Sequence, residues 1–276
     1  MQFGISTTMY QPKQIEKLLL NLVDNDINIL EVMPWEGHSE MTEPTAIYSF
    51  KKKIVDYGLT VLAVDMPANG VDISHIEEYD RMWSIREIEK TIMISLKLSA
   101  SIVVLHPGGY IRNEHEREER INQCCASLQE IMEFCKPYDI KIVIKNTLPG
   151  NIGCQLEEVK KIIMSVNSSK LGFCFDCGYY LINQSLKPVR SLSSHLKKLN
   201  MEKYLWHIHA HDNNGQYDSH LLPGEGLFEW KHFLDYLYKN HFQGGFIIEA
   251  QKKNQIGPFL ARVKQIIYDF NQYSMS

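Results

Sequence analysis

Along the chain, short apolar runs rich in Val and Ile alternate with longer segments in which apolar residues recur every three or four positions. The first pattern predicts buried strands and the second amphipathic helices. Strands are expected over 3–8, 27–34, 59–67, 101–109, 140–147, 170–178, 204–212 and 244–251. The intervening helices are QPKQIEKLLLNLVDND, a segment ending at KKKIVDYG, a long one from about Ile73 to Leu98, and one running through EHEREER to Cys135. QLEEVKKIIMSV, SLSSHLKKLN, LFEWKHFLDYLYKN and FLARVKQIIYDF follow. Tyr57-Gly58 is the stop signal expected ahead of the third strand. Eight strand–helix repeats in 276 residues predict a single (β/α)8 barrel over residues 1–276. An open doubly wound sheet would usually carry fewer strands and a G-x-G-x-x-G turn after the first. FGISTTMY has no such turn, so no nucleotide cofactor is expected.

Composition narrows the partners. The chain is 44% hydrophobic and 22% charged, as in ordinary globular proteins. A net charge of −4 provides no global basic field for nucleic acid. MQFGISTTMY lacks the pattern of a secretory leader, and no apolar run approaches the ~18 residues of a membrane helix. A cytoplasmic protein with no membrane partner is expected. The six cysteines are scattered and read as reduced. Cys174 and Cys177 form a lone C-x-x-C without the second pair of a zinc knuckle, so one is assigned to a strand and one to the following loop. The run EHEREER (114–120) reads as a solvated helix start.

In such a barrel the active site is built at the C-terminal strand ends. Polar residues there are Glu31, Asp65, His106, Lys145 with Asn146, Asp176, the series His207, His209, His211 and Asp212, and Glu249 with Gln251. Asp218 and His220 follow in the loop after strand seven, and Tyr10 is a further position near the mouth. His207, His209 and His211 share one strand face, with Ile208 and Ala210 on the other, so the imidazoles are expected inside the barrel. Imidazoles and carboxylates in one cleft suit either a divalent metal or proton transfer. Trp35, Tyr110, Tyr179 and Phe228 could stack on a sugar face or pack under the loops.

HIHAHDNNGQYDSHLLPGEG (207–226) resembles the H-x-H-D-N-x-G-x-x-D-x-H-x-x-P-G-x-G segment of the xylose-isomerase-like barrel superfamily. That superfamily includes sugar isomerases and epimerases and the apurinic/apyrimidinic endonucleases. LHPGG, NT-x-x-G, F-x-D-x-G and IIEAQ fall in the same order. The resemblance implies metal ligands at Asp176, His209 and Glu249, with Glu249 also the carboxylate base. It implies substrate contacts at His106, His220, Asp218 and Tyr179. It also implies Mn, Mg, Co or Zn as the metal and a small sugar-like substrate; homo-oligomerisation is left open.

Two positions depart from the pattern. The family's fourth ligand is a glutamate at the end of strand five, and this chain has Lys145. An ammonium has three donors and no acceptor, so it repels a cation instead of binding it. Its expected place is against Asp176 or Glu249, with metal affinity lowered. The family's D-x-G-H becomes Asp176-Cys177-Gly178-Tyr179, and the endonucleases' strand-three histidine aligns with Asp65, so a trinuclear zinc site lacks ligands. Three readings stay open: a metal-assisted sugar isomerase or epimerase, an enzyme in which Lys145 is the electrophile, and a barrel that binds a sugar-like ligand without turnover. DNA repair ranks below all three.

Overall fold

The computed structural model describes residues 1–9, 15–34, 44–66, 70–186, 191–251 and 255–272. Its strands are β1 (Gln2–Ser6), β2 (Ile29–Val32), β3 (Thr60–Asp65), β4 (Ile102–Leu105), β5 (Lys141–Lys145), β6 (Leu171–Asp176), β7 (Leu205–Ala210) and β8 (Gly245–Ile248). They pair in chain order, and β8 closes on β1 with parallel registry, giving a closed barrel. The helices are α1 (Ile15–Asp24), α2 (Pro44–Asp56), α3 (Glu78–Leu98), α4 (Arg117–Cys135), α5 (Leu156–Val166), α6 (Cys177–Leu186), α7 (Leu192–Leu199), α8 (Trp230–Lys239) and α9 (Ile256–Gln272).

Strand parity divides the side chains. Ile142 and Ile144 of β5, and Phe173 and Phe175 of β6, pack outward against the helices. Ala63, Ile102, Val104, Val143 and Cys174 form a separate apolar plug inside the barrel. Gly172 lies beneath the Trp206 indole: a Cβ there would stand 2.3 Å from the ring, so only glycine admits it. The lower barrel is therefore filled, and polar side chains gather above the plug at the strand C-termini.

Three departures from the expected elements have local causes. The helix after β3 begins at Glu78 and not near Ile73. Asp72 Oδ1 accepts from the N–H and the hydroxyl of Ser74, a side-chain turn that replaces a helical one. The Arg120 guanidinium then ties this turn to Asp72, to Ser74 and to the carbonyl of Tyr110. An unexpected helix, α6, starts directly at the end of β6, where Asp176 Oδ1 accepts the Tyr179 N–H at 2.8 Å like a helix cap. Cys177 thus opens a helix and does not lie in a loop. The EHEREER run becomes a 3-10 turn over Glu114–Glu116 and the first turn of α4, where Glu118 and Glu119 are exposed as expected but Arg120 is buried by its contacts with Asp72 and Ser74.

The loop after β7 is pinned by one carboxylate. Asp212, fully buried, accepts from the N–H groups of Asn213, Gly224 and Phe228 and from the Trp230 indole at 2.8–3.0 Å. Its backbone also pairs with Leu221. This network fixes the segment that carries Asp218 and His220. Asp212→Ala leaves four donors without their acceptor and is expected to destabilise the chain by about 3 kcal/mol or more. Urea unfolding measures this; a loss under about 1 kcal/mol would rule out the pinning role.

Candidate active site

Glu31, Asp65, Lys145, Asp176, His207, His209, His211 and Glu249 are all buried at the C-terminal end of the barrel. The β7 histidines face inward, as their parity requires. Glu31 Oε2 lies 2.7 Å from His207 Nε2 and 3.1 Å from His209 Nε2, so one carboxylate oxygen orients both rings. With Nε2 of His209 turned to Glu31, its Nδ1 faces the mouth, 2.9 Å from Glu249 Oε2 and 3.9 Å from Asp176 Oδ2. Asp176, His209 and Glu249 therefore come together, and none of them points into the helix layer.

Asp176 is held from several sides. Asn146 and the Asp176 backbone exchange two hydrogen bonds of 2.9 Å, and His211 Nε2 lies 2.9 Å from Asp176 Oδ1. The His211 ring sits between Gly178 and His220. A Cβ on Gly178 would fall 2.0 Å from it, and His220 stacks on it at 3.9 Å with the planes 3° apart. The glycine of the D-x-G segment thus makes room for an imidazole.

His106, Tyr179 and His220 line the same mouth. The Tyr179 ring lies edge-on to His106, His211 and His220 at 5.7–6.5 Å. His220, at a φ of 42°, places Nδ1 2.8 Å from the Glu249 carbonyl and Nε2 3.2 Å from Asp218 Oδ1. Phe228 packs with Phe175, Trp230 and Phe233 behind the wall, away from the mouth. Tyr110 is exposed and lies over Gly150. Trp35 and Tyr10 lie outside the described residues.

Lys145 corrects the expectation made for it. Its ion pair is with Asp65, at 3.6 Å from Oδ2, and not with Asp176 or Glu249. Lys145 and Asp65 both end their strands facing inward, and β3 and β5 are separated only by β4. Glu249 and Asp176 act on the ammonium at longer range. Burial disfavours the charged amine, but Asp65, Glu249, Tyr179 and Asp176 outweigh it and hold the Lys145 pKa well above its ordinary value. A neutral amine for Schiff-base chemistry is therefore not supplied by this environment.

The other groups separate by environment. Burial pushes Asp65 up to about 7 against the pull of Lys145 and His209. Burial would also raise Glu31 and Glu249, but the surrounding cations win. His209 and His207 hold Glu31 down to about 2, and His209 with Lys145 holds Glu249 well below the carboxylate range. Burial lowers His106 well below the usual imidazole range, and Lys145 adds to this. Burial opposes protonation of His209, but Cys174, Glu31 and Glu249 raise it well above 6.5.

Sequence reasoning placed Asp65 and Glu31 at strand ends without giving them a metal-binding role. The signal available for both was a carboxylate inside an otherwise apolar strand, ILEV and TVLAVD. Among the described residues, those able to hold a metal form four groups of three, each with ligand atoms within 4.8 Å: Glu31–His207–His209, His211–Asp218–His220, Asp65–His209–Glu249 and Asp176–His211–Glu249. Among the described residues no hydrogen bond reaches Asp65 Oδ1 or Oδ2 or Asp176 Oδ2, and His209 Nδ1 and Glu249 Oε2 have only each other at 2.9 Å. Such buried acceptors fit a divalent cation, and the Glu31–His209 contact is the usual support for a ligating imidazole.

Residues 20–266 match the family model described as a xylose isomerase-like TIM barrel. The chain belongs to that family. An uncharacterized protein of Methanocaldococcus jannaschii is 26% identical over 258 residues, covering 92% of this chain and 84% of the relative. A probable endonuclease 4 of Thermosipho melanesiensis is 26% identical, covering 88% and 89%. A fructoselysine 3-epimerase of Shigella flexneri is 21% identical, covering 90% of each. Among solved structures, a D-tagatose 3-epimerase-like protein superposes with a TM-score of 0.85 at 24% identity, covering 99% and 98%. Like these xylose isomerase-like barrels, this chain closes eight parallel strands. Among its described residues no helix is long and apolar enough to cross a membrane.

His220 supplies a pH test. Burial lowers its pKa, but the Asp218 contact and Glu249 outweigh this and push it up to about 9. Because the folded value lies above the ordinary 6.5, its stabilisation is complete below pH 6.5 and is lost as pH rises through about 9. In chelator, the parent's Tm is expected to fall between pH 7 and pH 10 by roughly 3 °C more than that of His220→Gln. Parallel pH profiles for the two proteins would remove the imidazolium from this account.

Proposed function

We propose that this barrel, as one domain over 1–276, is a sugar isomerase or epimerase acting by proton transfer beside a carbonyl. The observation that carries the reading is the meeting of an ionised Glu249, the Lys145 ammonium and His209 at one barrel mouth. The substrate class is a small sugar or sugar derivative with a carbonyl and neighbouring hydroxyls. The absence of a Gly-rich phosphate loop favours an unphosphorylated one.

The chemistry follows from the groups. Glu249 takes the proton from the carbon next to the carbonyl, and the electron pair moves onto the carbonyl oxygen. The Lys145 ammonium, held protonated by Asp65, donates a hydrogen bond to that developing oxyanion. Return of the proton to the neighbouring carbon, with the neighbouring hydroxyl's proton passed to the former carbonyl oxygen, gives isomerisation; delivery of a proton to the opposite face from the Lys145 side, with Glu249 and Lys145 then re-equilibrating with solvent, gives epimerisation. His106, Tyr179, Asp218 and His220 around the rim bind hydroxyls. Asp176, His209 and Glu249, with Asp65 beside them, surround the position where a divalent ion would be held, and such an ion would polarise the carbonyl further. Glu31 keeps His209 Nδ1 turned toward that position.

The relatives named probable endonuclease 4 raise DNA chemistry as a second reading, which the charge and the site do not favour. A net charge of −4 offers little attraction to a phosphate backbone, and Lys145 and Tyr179 stand where the family pattern has metal-binding residues. The similarity to sugar 3-epimerases, by contrast, agrees with carboxylate and imidazole groups facing a small mouth.

The test is deuterium uptake from D2O next to the carbonyl of a panel of aldoses and ketoses, followed by NMR. Exchange is expected with at least one sugar, and Glu249→Gln is expected to reduce it by about 10²–10⁴-fold. A parent that binds a sugar but exchanges no proton, with Mn2+, Co2+ or Mg2+ added or withheld, would favour a binding barrel without turnover. Lys145→Glu is expected to raise divalent-metal affinity by at least ~10-fold. Tight stoichiometric metal in the parent, unchanged by that substitution, would remove the electrostatic role given to Lys145.

A further inference from the structure

We infer that Asp65, on β3, takes the ligand place the family gives to the β5 glutamate, so that Asp65, His209 and Glu249 bind a divalent cation displaced toward β3. Asp176 borders this position. The inference rests on the barrel mouth being the active site, but not on the sugar chemistry assigned to it.

Three observations support it. First, one ligand atom each from Asp65, His209 and Glu249 lies within 4.8 Å of the others, the spacing that ligands about 2.0–2.6 Å from one ion require. Second, Asp65 is fully buried and neither carboxylate oxygen has a hydrogen-bond partner. The Lys145 ammonium, at 3.6 Å, is too far for a hydrogen bond. A buried carboxylate left without donors is costly and calls for a cation or another partner. Third, His209 Nδ1 and Glu249 Oε2 face each other at 2.9 Å, and no further hydrogen bond reaches either among the described residues. His209 is already oriented through Nε2 by Glu31.

The geometry also accommodates Lys145. The ammonium approaches Asp65 through Oδ2, which leaves Oδ1 for the ion. The carboxylate lost at the end of β5 is thus replaced from two strands away, and three carboxylates with one imidazole again surround the position: Asp65, Asp176, Glu249 and His209. The donor set of oxygens and one imidazole suits Mn2+, Co2+ or Zn2+.

The experiment needs no sugar. The full chain is stripped with chelator, dialysed into chelator-free buffer and titrated with Co2+, read by visible absorption, and with Mn2+, read by EPR. One ion per chain is expected. Asp65→Asn is expected to weaken binding at least about 100-fold. Adding Lys145→Glu to Asp65→Asn returns a carboxylate at the family position and is expected to restore most of the affinity. An unaltered affinity in Asp65→Asn, no ion taken up by the parent, or no recovery in the double variant would each overturn the inference. Should Asp65→Asn fail to fold, anomalous diffraction from parent crystals soaked in Mn2+ decides. An ion within about 2.6 Å of an Asp65 oxygen supports the site, and one held by Asp176, His209 and Glu249 but remote from Asp65 overturns it. Proton exchange on sugars in chelator is measured separately, so failure of the metal site leaves the carbonyl reading standing, and failure of exchange leaves the metal site standing.

Discussion

Four carboxylates, Glu31, Asp65, Asp176 and Glu249, are buried at one barrel mouth with a single lysine among them. Ionised carboxylates out of water are tolerable only when paired, hydrogen-bonded or bound to a cation. The mouth is arranged around that constraint. Glu31 rests on two imidazoles, Asp176 on a backbone N–H and on His211, and Glu249 on His209. Asp65 has only the distant ammonium, and it alone of the four is pushed up toward neutrality, to about 7. The same electrostatics keep Lys145 charged. An ammonium held in that state is a hydrogen-bond donor to a developing oxyanion and not a nucleophile.

Rigid support lies behind each of these groups. The apolar plug of Ala63, Ile102, Val104, Val143 and Cys174 closes the barrel from below. Water is thereby kept from the rear of the site, and the interactions above the plug operate at low effective dielectric. Asp212 holds the loop after β7, and the Arg120–Asp72–Ser74 network holds the turn after β3 against the segment ending at Tyr110. Tyr179, His106 and His220 are placed by these two loops and by the start of α6. His211 bridges the β7 loop and Asp176: it stacks on His220 and lies 2.9 Å from Asp176 Oδ1.

Much of this was legible before the structure. The eight strands and their order follow from the apolar runs, and strand parity turns the β7 histidines inward. Polar residues at strand C-termini include Asp176, His209 and Glu249 among others, and the family resemblance singles those three out. The Lys145–Asp65 pair was not legible, because it depends on how neighbouring strands are staggered. In register Asp65 lies level with Val104 and Val143, two residues short of Lys145, and one sequence does not state that register. Helix α6 was missed for a related reason. Its cap is Asp176, a strand residue whose side chain serves the helix and the site together. The start of α3 was misplaced because Ile73 is buried by a turn that Asp72 and Arg120 hold, and apolar periodicity does not distinguish that from a helix.

Exchanging glutamate for lysine on β5 also alters what a proton-transfer site can do. On the proposed reading, a carboxylate at that position would face Glu249 across the barrel and could accept a proton from the opposite side of a substrate. An ammonium that stays protonated can donate there but cannot accept. Abstraction is then confined to the Glu249 side, while the Lys145 side offers a proton and a positive charge. A mouth of this kind distinguishes the two faces of an enediolate by chemistry as well as by shape. Asp65 is what makes the arrangement stable: without its carboxylate beside it, the buried ammonium would lose the largest interaction that keeps it charged.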